Sequence, residues 1–203
     1  MKKIKWKPLV ISTLVCLMPI LLGVALYDRL PEQMAIHFTF QNQPDNFASK
    51  GMTVFGLPCM MALLQVFCCI VNDKNAAGRE MGKRAKAAVK AVIPVVTLVI
   101  YTATIVYALG TAVDIRRIAM FLAGGILIVL GNYMPKGSVK NPKTGEPFDQ
   151  MKKANRLMGY LTVFLGVLFL VSIFFPEMFS VAAVCLILPY AVAGILMGTR
   201  LKG

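Results

Sequence analysis

Residues 51–71 read GMTVFGLPCMMALLQVFCCIV, a run of 21 residues that contains no charged side chain. A helix needs about 20 mostly apolar residues to cross the hydrocarbon core of a bilayer. A small soluble fold lacks the interior volume to bury much sequence of this kind, and 58% of this 203-residue chain is hydrophobic. The run therefore predicts a transmembrane helix.

Five further stretches have the same character, and none of them contains Asp, Glu, Lys or Arg. Within the hydrocarbon core the backbone must satisfy its own hydrogen bonds, which leaves helices or a closed barrel. The short alternating segments of a barrel are missing. We therefore predict an all-α integral membrane protein with about six transmembrane helices in one bundle. The predicted spans are 8–27, 51–71, 91–110, 118–134, 158–175 and 179–198.

The lysines and arginines are sorted between alternate connections. Eighteen of the 22 lie on one side, in the N-terminal segment, in residues 72–90 and 135–156, and in the C-terminal tail. Basic connections remain in the cytoplasm, so we predict that both termini are cytoplasmic and that residues 28–50 form the one substantial outer loop. The sorting also accounts for the formal charge of +13. Since the chain has no nucleic-acid recognition motif, we predict no direct contact with nucleic acid.

The predicted spans offer little chemistry. Ion-coupled carriers usually place carboxylates or histidines inside the bilayer, whereas all nine acids of this chain lie in the predicted loops. A lone mid-span amide, Gln65, more often bonds to a neighbouring helix than lines a path. A small transporter or permease accessory subunit, with a polar cavity around Gln65, Thr97 and Thr102, stays open as an alternative. The five cysteines lack metal-binding spacing, and we predict no cofactor and no metal.

The single histidine, His37, lies in the outer loop. It could pair with Glu32 or Asp45 as an acid–base couple or a metal ligand, although one structural hydrogen bond is the simpler interpretation. The spans also lack the motifs of an intramembrane protease. We predict that the protein is not an enzyme. A metal-dependent membrane enzyme that uses His37 is the remaining alternative in that class.

The outer loop is the most informative segment. From Met34 to Phe40 large apolar residues alternate with smaller or polar ones, which indicates an extended stretch. Asn42 and Asn46 flank Pro44 and its neighbouring aspartate, a composition typical of a turn. Ser49 directly precedes the second span and is placed to cap that helix. We expect the loop to be either a structural lid on the helices or a recognition surface.

The inner loop between Asn132 and Arg156 is the second candidate segment. Its prolines and glycines end any helix, and its lysines favour anionic lipid headgroups. Contact with lipid is the simpler interpretation of this loop. Docking of a cytoplasmic protein partner is the alternative.

Two motifs resemble a known family. The outer-loop motif is similar to a widespread bacterial domain of unknown function, which forms the N-terminal part of SdpI-type membrane proteins. The motif at 131–136 is similar to the one that opens the C-terminal half of those proteins. The resemblance implies a two-span unit in residues 1–90 and a four-span SdpI-like unit in residues 91–203. The outer-loop motif consists of Leu30-Pro31, Met34, His37-Phe38, Pro44-Asp45 and Ser49-Lys50. The second motif is Gly131-Asn132-Tyr133-Met134-Pro135-Lys136, with Arg156 and Gly159 further along.

The family includes immunity proteins that protect a producing cell from a secreted antimicrobial peptide toxin and hold a cytoplasmic repressor at the membrane. The resemblance thus implies a non-enzymatic immunity or signalling protein of the bacterial cell membrane. Its implied partners are the lipid bilayer, a secreted peptide toxin outside and a cytoplasmic repressor inside. The residues implied for recognition or organisation of the outer loop are Pro31, Met34, His37, Phe38, Pro44, Asp45, Ser49 and Lys50. Those implied for organisation or partner docking at the inner loop are Asn132, Tyr133, Pro135, Lys136 and Arg156.

The chain departs from the family pattern in two respects. Residues 139–148 do not reproduce the family's stretch resembling Gly-Ile-Arg-Thr-Pro-Trp. Asn42 and Asn46 stand where the family usually has glycine. Because asparagine is the least costly substitute for glycine at a positive φ angle, we expect positive φ at these two positions.

Overall fold

The computed structural model describes residues 5–74, 82–134 and 149–200. Within these residues six helices are long and apolar enough to cross a membrane, and each overlaps one of the predicted spans. The predicted fold class, a helical membrane protein with six spans, is confirmed, while the placement of the termini in the cytoplasm stays a prediction. The first to sixth spans are Trp6–Ala25, Met52–Lys74, Lys83–Ala108, Ile115–Tyr133, Lys152–Ser172 and Glu177–Leu196.

Prolines account for the breaks within two of the spans. Pro19 has no N–H to donate, and the first span is interrupted immediately before it. Pro189 follows a similar break at Leu186 in the sixth span. The elements in chain order are α1 (Trp6–Leu17), α2 (Pro19–Ala25), a 3₁₀ turn (Tyr27–Arg29), β1 (Gln33–Phe38), β2 (Pro44–Ser49), a π-helical segment (Met52–Gly56), α3 (Leu57–Lys74), α4 (Lys83–Ala108), α5 (Ile115–Tyr133), α6 (Asp149–Ser172), α7 (Glu177–Cys185) and α8 (Ile187–Arg200).

The chain divides into two compact units. The first consists of Met1–Asn75 and Lys90–Ala119, and the second of Ala76–Val89 and Met120–Gly203. The first unit thus holds the first two spans, most of the third span and the two strands. The division at residue 90 that the family resemblance implies stays a prediction.

Strands β1 and β2 and their turn, residues 33–49, form an antiparallel hairpin in which Gln33 lies opposite Ser49. The predicted extended stretch is confirmed from Met34 to Phe38, whereas Phe40 lies in the turn. The sequence pattern did not predict the pairing with β2. The register shifts between Ala35 and His37, so Ile36 is an extra residue on β1. Such a bulge interrupts the alternation of faces, which explains why Met34 is buried whereas Ile36 is exposed.

In the second unit α5 and α6 approach each other closely at a pair of glycines. A Cβ atom added to Gly124 would lie 2.8 Å from the carbonyl oxygen of Gly166, and one added to Gly166 would lie 2.7 Å from that of Gly124. The absence of a side chain at Gly124 is therefore what permits the close approach. Its neighbour Gly125 takes no part in it, since a Cβ there would have no atom within 4 Å. A Cβ at Gly194 would meet only the end of the Met158 side chain, at 3.1 Å.

The adjacent residues Gly124 and Gly125 offer a matched test of the packing between α5 and α6. We expect Gly124→Ala to lower the free energy of unfolding by about 2 kcal/mol, because the new methyl group overlaps the backbone of α6. Gly125→Ala should leave the stability unchanged or raise it by up to about 1 kcal/mol, since alanine favours helix. Unfolding of the two variants in detergent micelles, followed by circular dichroism, measures both. Equal effects would contradict the close approach.

Candidate functional site

The side chain of Met34 anchors the hairpin to the helices of the first unit. This side chain is 1% exposed and packs in a cluster with Leu30, Val54, Tyr101 and Ile105. Burial of a methionine-sized side chain contributes on the order of 2 kcal/mol. The hairpin therefore has a fixed position on the spans of its own unit.

A second contact holds the other end of β1. The ring of Phe38 meets the ring of Tyr107, near the end of α4, edge to face, with 4.8 Å between centroids and 86° between planes. This is a favoured geometry for an aromatic pair. Met34 and Phe38, two residues of the predicted outer-loop motif, thus both attach the hairpin to the third span.

Lys50 joins the start of the second span to the segment that leads into the hairpin. Its Nζ lies 2.9 Å from the Glu32 carboxylate, donates to the carbonyl of Leu30 at 3.4 Å, and lies 4.6 Å from the ring centroid of Tyr27. The side chain of Lys50 is only 13% exposed. The adjacent Glu32 carboxylate raises the pKa of the Lys50 amine above its ordinary value of 10.5.

This shift predicts a specific pH dependence. A pKa raised in the folded state stabilises the fold fully below pH 10.5, and the contribution is lost as the pH rises through the folded-state pKa. We expect Glu32→Gln to move the pKa of Lys50 back towards 10.5, measured by NMR on ¹³C-dimethylated lysines. Glu177→Gln, remote in sequence, is the control. An unchanged Lys50 titration in Glu32→Gln would show that the ion pair does not form.

His37 pairs with Asp45, one of the two partners that the sequence left open. The Nδ1 atom of His37 lies 2.6 Å from Oδ1 of Asp45, across the hairpin, and the two side chains are 67% and 44% exposed. Exposed pairs of this kind contribute little to stability. Within the described residues no group of three His, Cys, Asp or Glu side chains could hold a metal ion, so His37 has no metal-binding set there. The contact is a surface hydrogen bond across the strands.

Ser49 caps the second span, as predicted. Its hydroxyl oxygen accepts a hydrogen bond from the backbone N–H of Met52 at 3.4 Å, and its carbonyl accepts one from the Thr53 hydroxyl at 3.1 Å. Of the two prolines in the motif, Pro31 is exposed. Pro44 opens β2 opposite Phe38, at the end of a strand where a missing N–H is tolerated.

Asn42 has a role that the sequence did not predict. Its φ angle is 60°, which confirms the expected positive φ and lies in the region that asparagine tolerates. Its side chain also bonds to the connection before the fourth span, donating to the carbonyl of Val113 at 3.0 Å and accepting from the N–H of Ile115 at 2.9 Å. The expectation was wrong for Asn46, which lies within β2, where the backbone is extended.

The side chain of Gln65 replaces a hydrogen-bond donor that a proline removes from the third span. Pro94 lies inside α4, and because it has no N–H, the carbonyl of Lys90 one turn earlier lacks its usual helical donor. The side-chain amide of Gln65 donates to that carbonyl at 2.9 Å, and Gln65 is 1% exposed. The interpretation of Gln65 as a bond to a neighbouring helix is confirmed.

The third span in turn supplies a side-chain donor to a carbonyl of the second span. In the second span Pro58 removes the α-helical donor for the carbonyl of Val54, and the hydroxyl of Tyr101, from the third span, donates to that carbonyl at 3.3 Å. A side chain added at Gly23 of the first span would overlap the Tyr101 hydroxyl. Glycine at this position therefore makes room for the bond.

At the opposite end of the first unit Asp73 joins three helices. Its carboxylate lies 2.8 Å and 2.9 Å from Nζ of Lys90 and accepts the backbone N–H of Lys5, which precedes α1, at 3.3 Å. Asp73 and Lys90 are only 9% and 10% exposed. Asp73 was predicted to lie in a loop, but α3 continues to Lys74, because this ion pair allows a charged residue to remain in the last turn of the helix.

The transporter alternative gains no support from these groups. The Gln65 amide bonds to a backbone carbonyl, as does the hydroxyl of Thr97, which donates to Ile93 at 2.7 Å. Gln65 and Thr97 are buried, whereas Thr102 is exposed. The three residues that were expected to line one polar cavity therefore differ in their surroundings.

The role of Gln65 can be tested by a double-mutant cycle with Pro94. We expect Gln65→Leu to cost about 1–3 kcal/mol, because the Lys90 carbonyl is left buried without a donor. In a Pro94→Ala background the alanine supplies the missing backbone N–H, so Gln65→Leu should cost markedly less. Unfolding in detergent micelles measures the four proteins. If the two costs are the same, Gln65 does not substitute for the missing proline donor.

The inner-loop residues are placed only in part. Asn132 and Tyr133 lie in the last turn of α5, and Arg156 is exposed on α6. Pro135 and Lys136 lie outside the described residues. The organising or docking role of these five residues stays a prediction, as does the recognition role of the outer-loop residues.

Comparison with known proteins is informative about this architecture. Residues 14–62 match the family described as "Domain of unknown function (DUF1648)", and this match contains the whole hairpin. The chain is 24% identical over 172 residues to "Immunity protein SdpI" of Bacillus subtilis, an alignment that covers 82% of this chain and 81% of that protein. The chain is SdpI-like. No solved structure matches it.

The SdpI-like chain is a multi-pass protein of the bacterial cell membrane. Six helices that can cross a membrane and similarity to SdpI over most of the chain agree on this point. The resemblance to SdpI-type proteins that the sequence motifs suggested is therefore supported, whereas the roles of the individual motif residues stay predictions.

Proposed function

We propose that this SdpI-like chain is a non-enzymatic membrane immunity protein whose hairpin recognises a secreted antimicrobial peptide on the outer side of the membrane. The similarity to a protein named as an immunity protein supports the general role. The matched domain at residues 14–62 contains the hairpin. The sorting of lysine and arginine, which predicts that the hairpin is outside, supports the direction of recognition.

The observation that carries the proposal is a hairpin that is anchored to the spans by Met34 and Phe38 and presents exposed aromatic side chains. Phe47 is 53% exposed and Phe40 is 37% exposed, although Met34 on the same hairpin is buried and fixes it to the spans. Aromatic residues are enriched in protein interfaces. A fixed hairpin also loses little conformational entropy when it binds, which favours affinity.

The backbone and charges of the hairpin define the kind of peptide that it fits. A sheet of two strands has an unpaired edge on each strand, to which an extended peptide can add by main-chain hydrogen bonds. The carboxylates of Glu32 and Asp45 pair with Lys50 and His37, yet their side chains stay 85% and 44% exposed. Each can therefore still accept a hydrogen bond from a basic side chain of a ligand. The preferred ligand is therefore an extended peptide with apolar and basic residues.

The inner face completes the proposed function. We propose that the end of the fourth span, with Asn132 and Tyr133, and the exposed Arg156 on α6 contribute to docking a cytoplasmic repressor. The support is the similarity of this segment to the SdpI pattern and the predicted cytoplasmic location of these residues. Signalling of this kind needs no catalytic group.

Expression in sensitive bacteria tests the immunity role. Cells that carry the wild-type chain are expected to survive at least one of a panel of purified secreted antimicrobial peptides. Phe47→Ser should weaken peptide binding about tenfold, the effect of losing roughly 1.4 kcal/mol of binding, and should therefore reduce survival. The measurement is colony counts at a fixed peptide dose, with membrane levels checked by immunoblot.

Asn46→Ser is the matched control, because Asn46 is the adjacent exposed residue of β2 and carries no aromatic surface. It should protect as well as the wild-type chain. The proposal fails if the wild-type chain protects against none of the peptides. If Phe47→Ser protects fully, recognition by this face of the hairpin is excluded.

A further inference from the structure

Asn42 joins the tip of the hairpin to the first residue of the fourth span. Both ends of its side-chain amide are used, since Nδ2 donates to the carbonyl of Val113 at 3.0 Å and Oδ1 accepts from the N–H of Ile115 at 2.9 Å. The turn that carries Asn42 is itself closed, with its N–H bonded to the carbonyl of Thr39 at 3.0 Å. A displacement of the tip therefore acts directly on Val113 and Ile115.

The bond to Ile115 completes the N-terminus of α5. The first N–H groups of a helix have no partner within the helix. Asp114 supplies one partner, accepting the N–H of Arg117 at 2.9 Å through its carboxylate, whereas the N–H of Ile115 is satisfied by the hairpin. The first turn of the fourth span is thus capped partly by its own sequence and partly by Asn42.

The turn alone does not require this side chain. Glycine adopts a φ angle of 60° at least as readily as asparagine, but it can form neither bond to the connection before α5. Asparagine at position 42 therefore adds a contact between elements to a turn that glycine would also permit. This contact is specific to the residue that the chain carries.

The element that receives the contact is one continuous helix. α5 runs from Ile115 to Tyr133, 19 residues, which corresponds to about 28 Å at 1.5 Å per residue. Its last turn contains Asn132 and Tyr133, the residues proposed for docking at the inner face. No proline interrupts α5, so its hydrogen-bonded backbone is the path by which a shift of its first turn would reach its last.

We propose that Asn42 is a positioning residue that couples the hairpin to the fourth span, so that a peptide bound at the hairpin shifts the inner end of α5. The signalling role rests on the proposed function, whereas the coupling between Asn42 and α5 does not. Asn42 needs no contact with the peptide for this role. It acts through Val113 and Ile115.

The test uses the full chain in lipid nanodiscs, without any ligand. In Asn42→Gly, which keeps the positive φ, we expect amide hydrogen exchange at residues 113–117 to rise about tenfold. In a background whose five native cysteines are replaced by alanine, we also expect at least a twofold change in the rate at which a maleimide labels Asn132→Cys. Asn42→Asp keeps the acceptor for Ile115 but loses the donor for Val113, and its effects should be intermediate. Asn46→Gly is the control and should match the wild-type chain.

Each outcome decides the proposal. Unchanged exchange at residues 113–117 in Asn42→Gly would overturn it, as would faster exchange there with unchanged labelling at position 132. Circular dichroism of each variant establishes that the chain is folded before the comparison is made. The survival assay with the same variants is read separately: a protein that shows the coupling but protects against no peptide would refute the proposed function and leave the coupling intact.

Discussion

Inside a bilayer a backbone carbonyl that lacks its helical donor finds no water to donate a hydrogen bond instead. This constraint governs how the second and third spans pair. Each of them contains a proline that removes a helical hydrogen bond. The carbonyl of Lys90 receives the amide of Gln65, and the carbonyl of Val54 receives the hydroxyl of Tyr101. Each span thus donates a hydrogen bond to a carbonyl that a proline leaves unpaired in the other span. These two bonds fix the register of the spans and also satisfy the polar groups.

The same contacts position the parts on which function depends. Tyr101 lies in the cluster that holds Met34, and therefore the hairpin. The side chain that donates to the second span thus also supports the proposed recognition surface. At the other end of the unit the Asp73–Lys90 ion pair joins α3 to α4. A buried charge pair of this kind is tolerated because both partners are present, and removing either partner would leave an uncompensated charge.

Much of this could be predicted from local sequence. The spans follow from uninterrupted apolar runs, the extended stretch of β1 from alternation, and the cap from Ser49 directly before a span. The bonds of Asn42 and Gln65 join residues 73 and 25 positions apart, which no local pattern specifies. Pro58 and Pro94 within the apolar runs were the available signal, because each leaves a carbonyl without its helical donor, which a distant side chain can replace. The bulge at Ile36 was likewise invisible, since it depends on the partner strand.

The central claim is that the hairpin faces outward while the end of the unit that holds Lys5 and Asp73 faces the cytoplasm. Labelling of substituted cysteines with a membrane-impermeant maleimide tests it most directly, in a variant whose five native cysteines are replaced by alanine. Asn46→Cys should react in intact cells, and Lys83→Cys should react only after the membrane is opened. Reaction of both positions under the same condition would place them in one compartment and contradict the account.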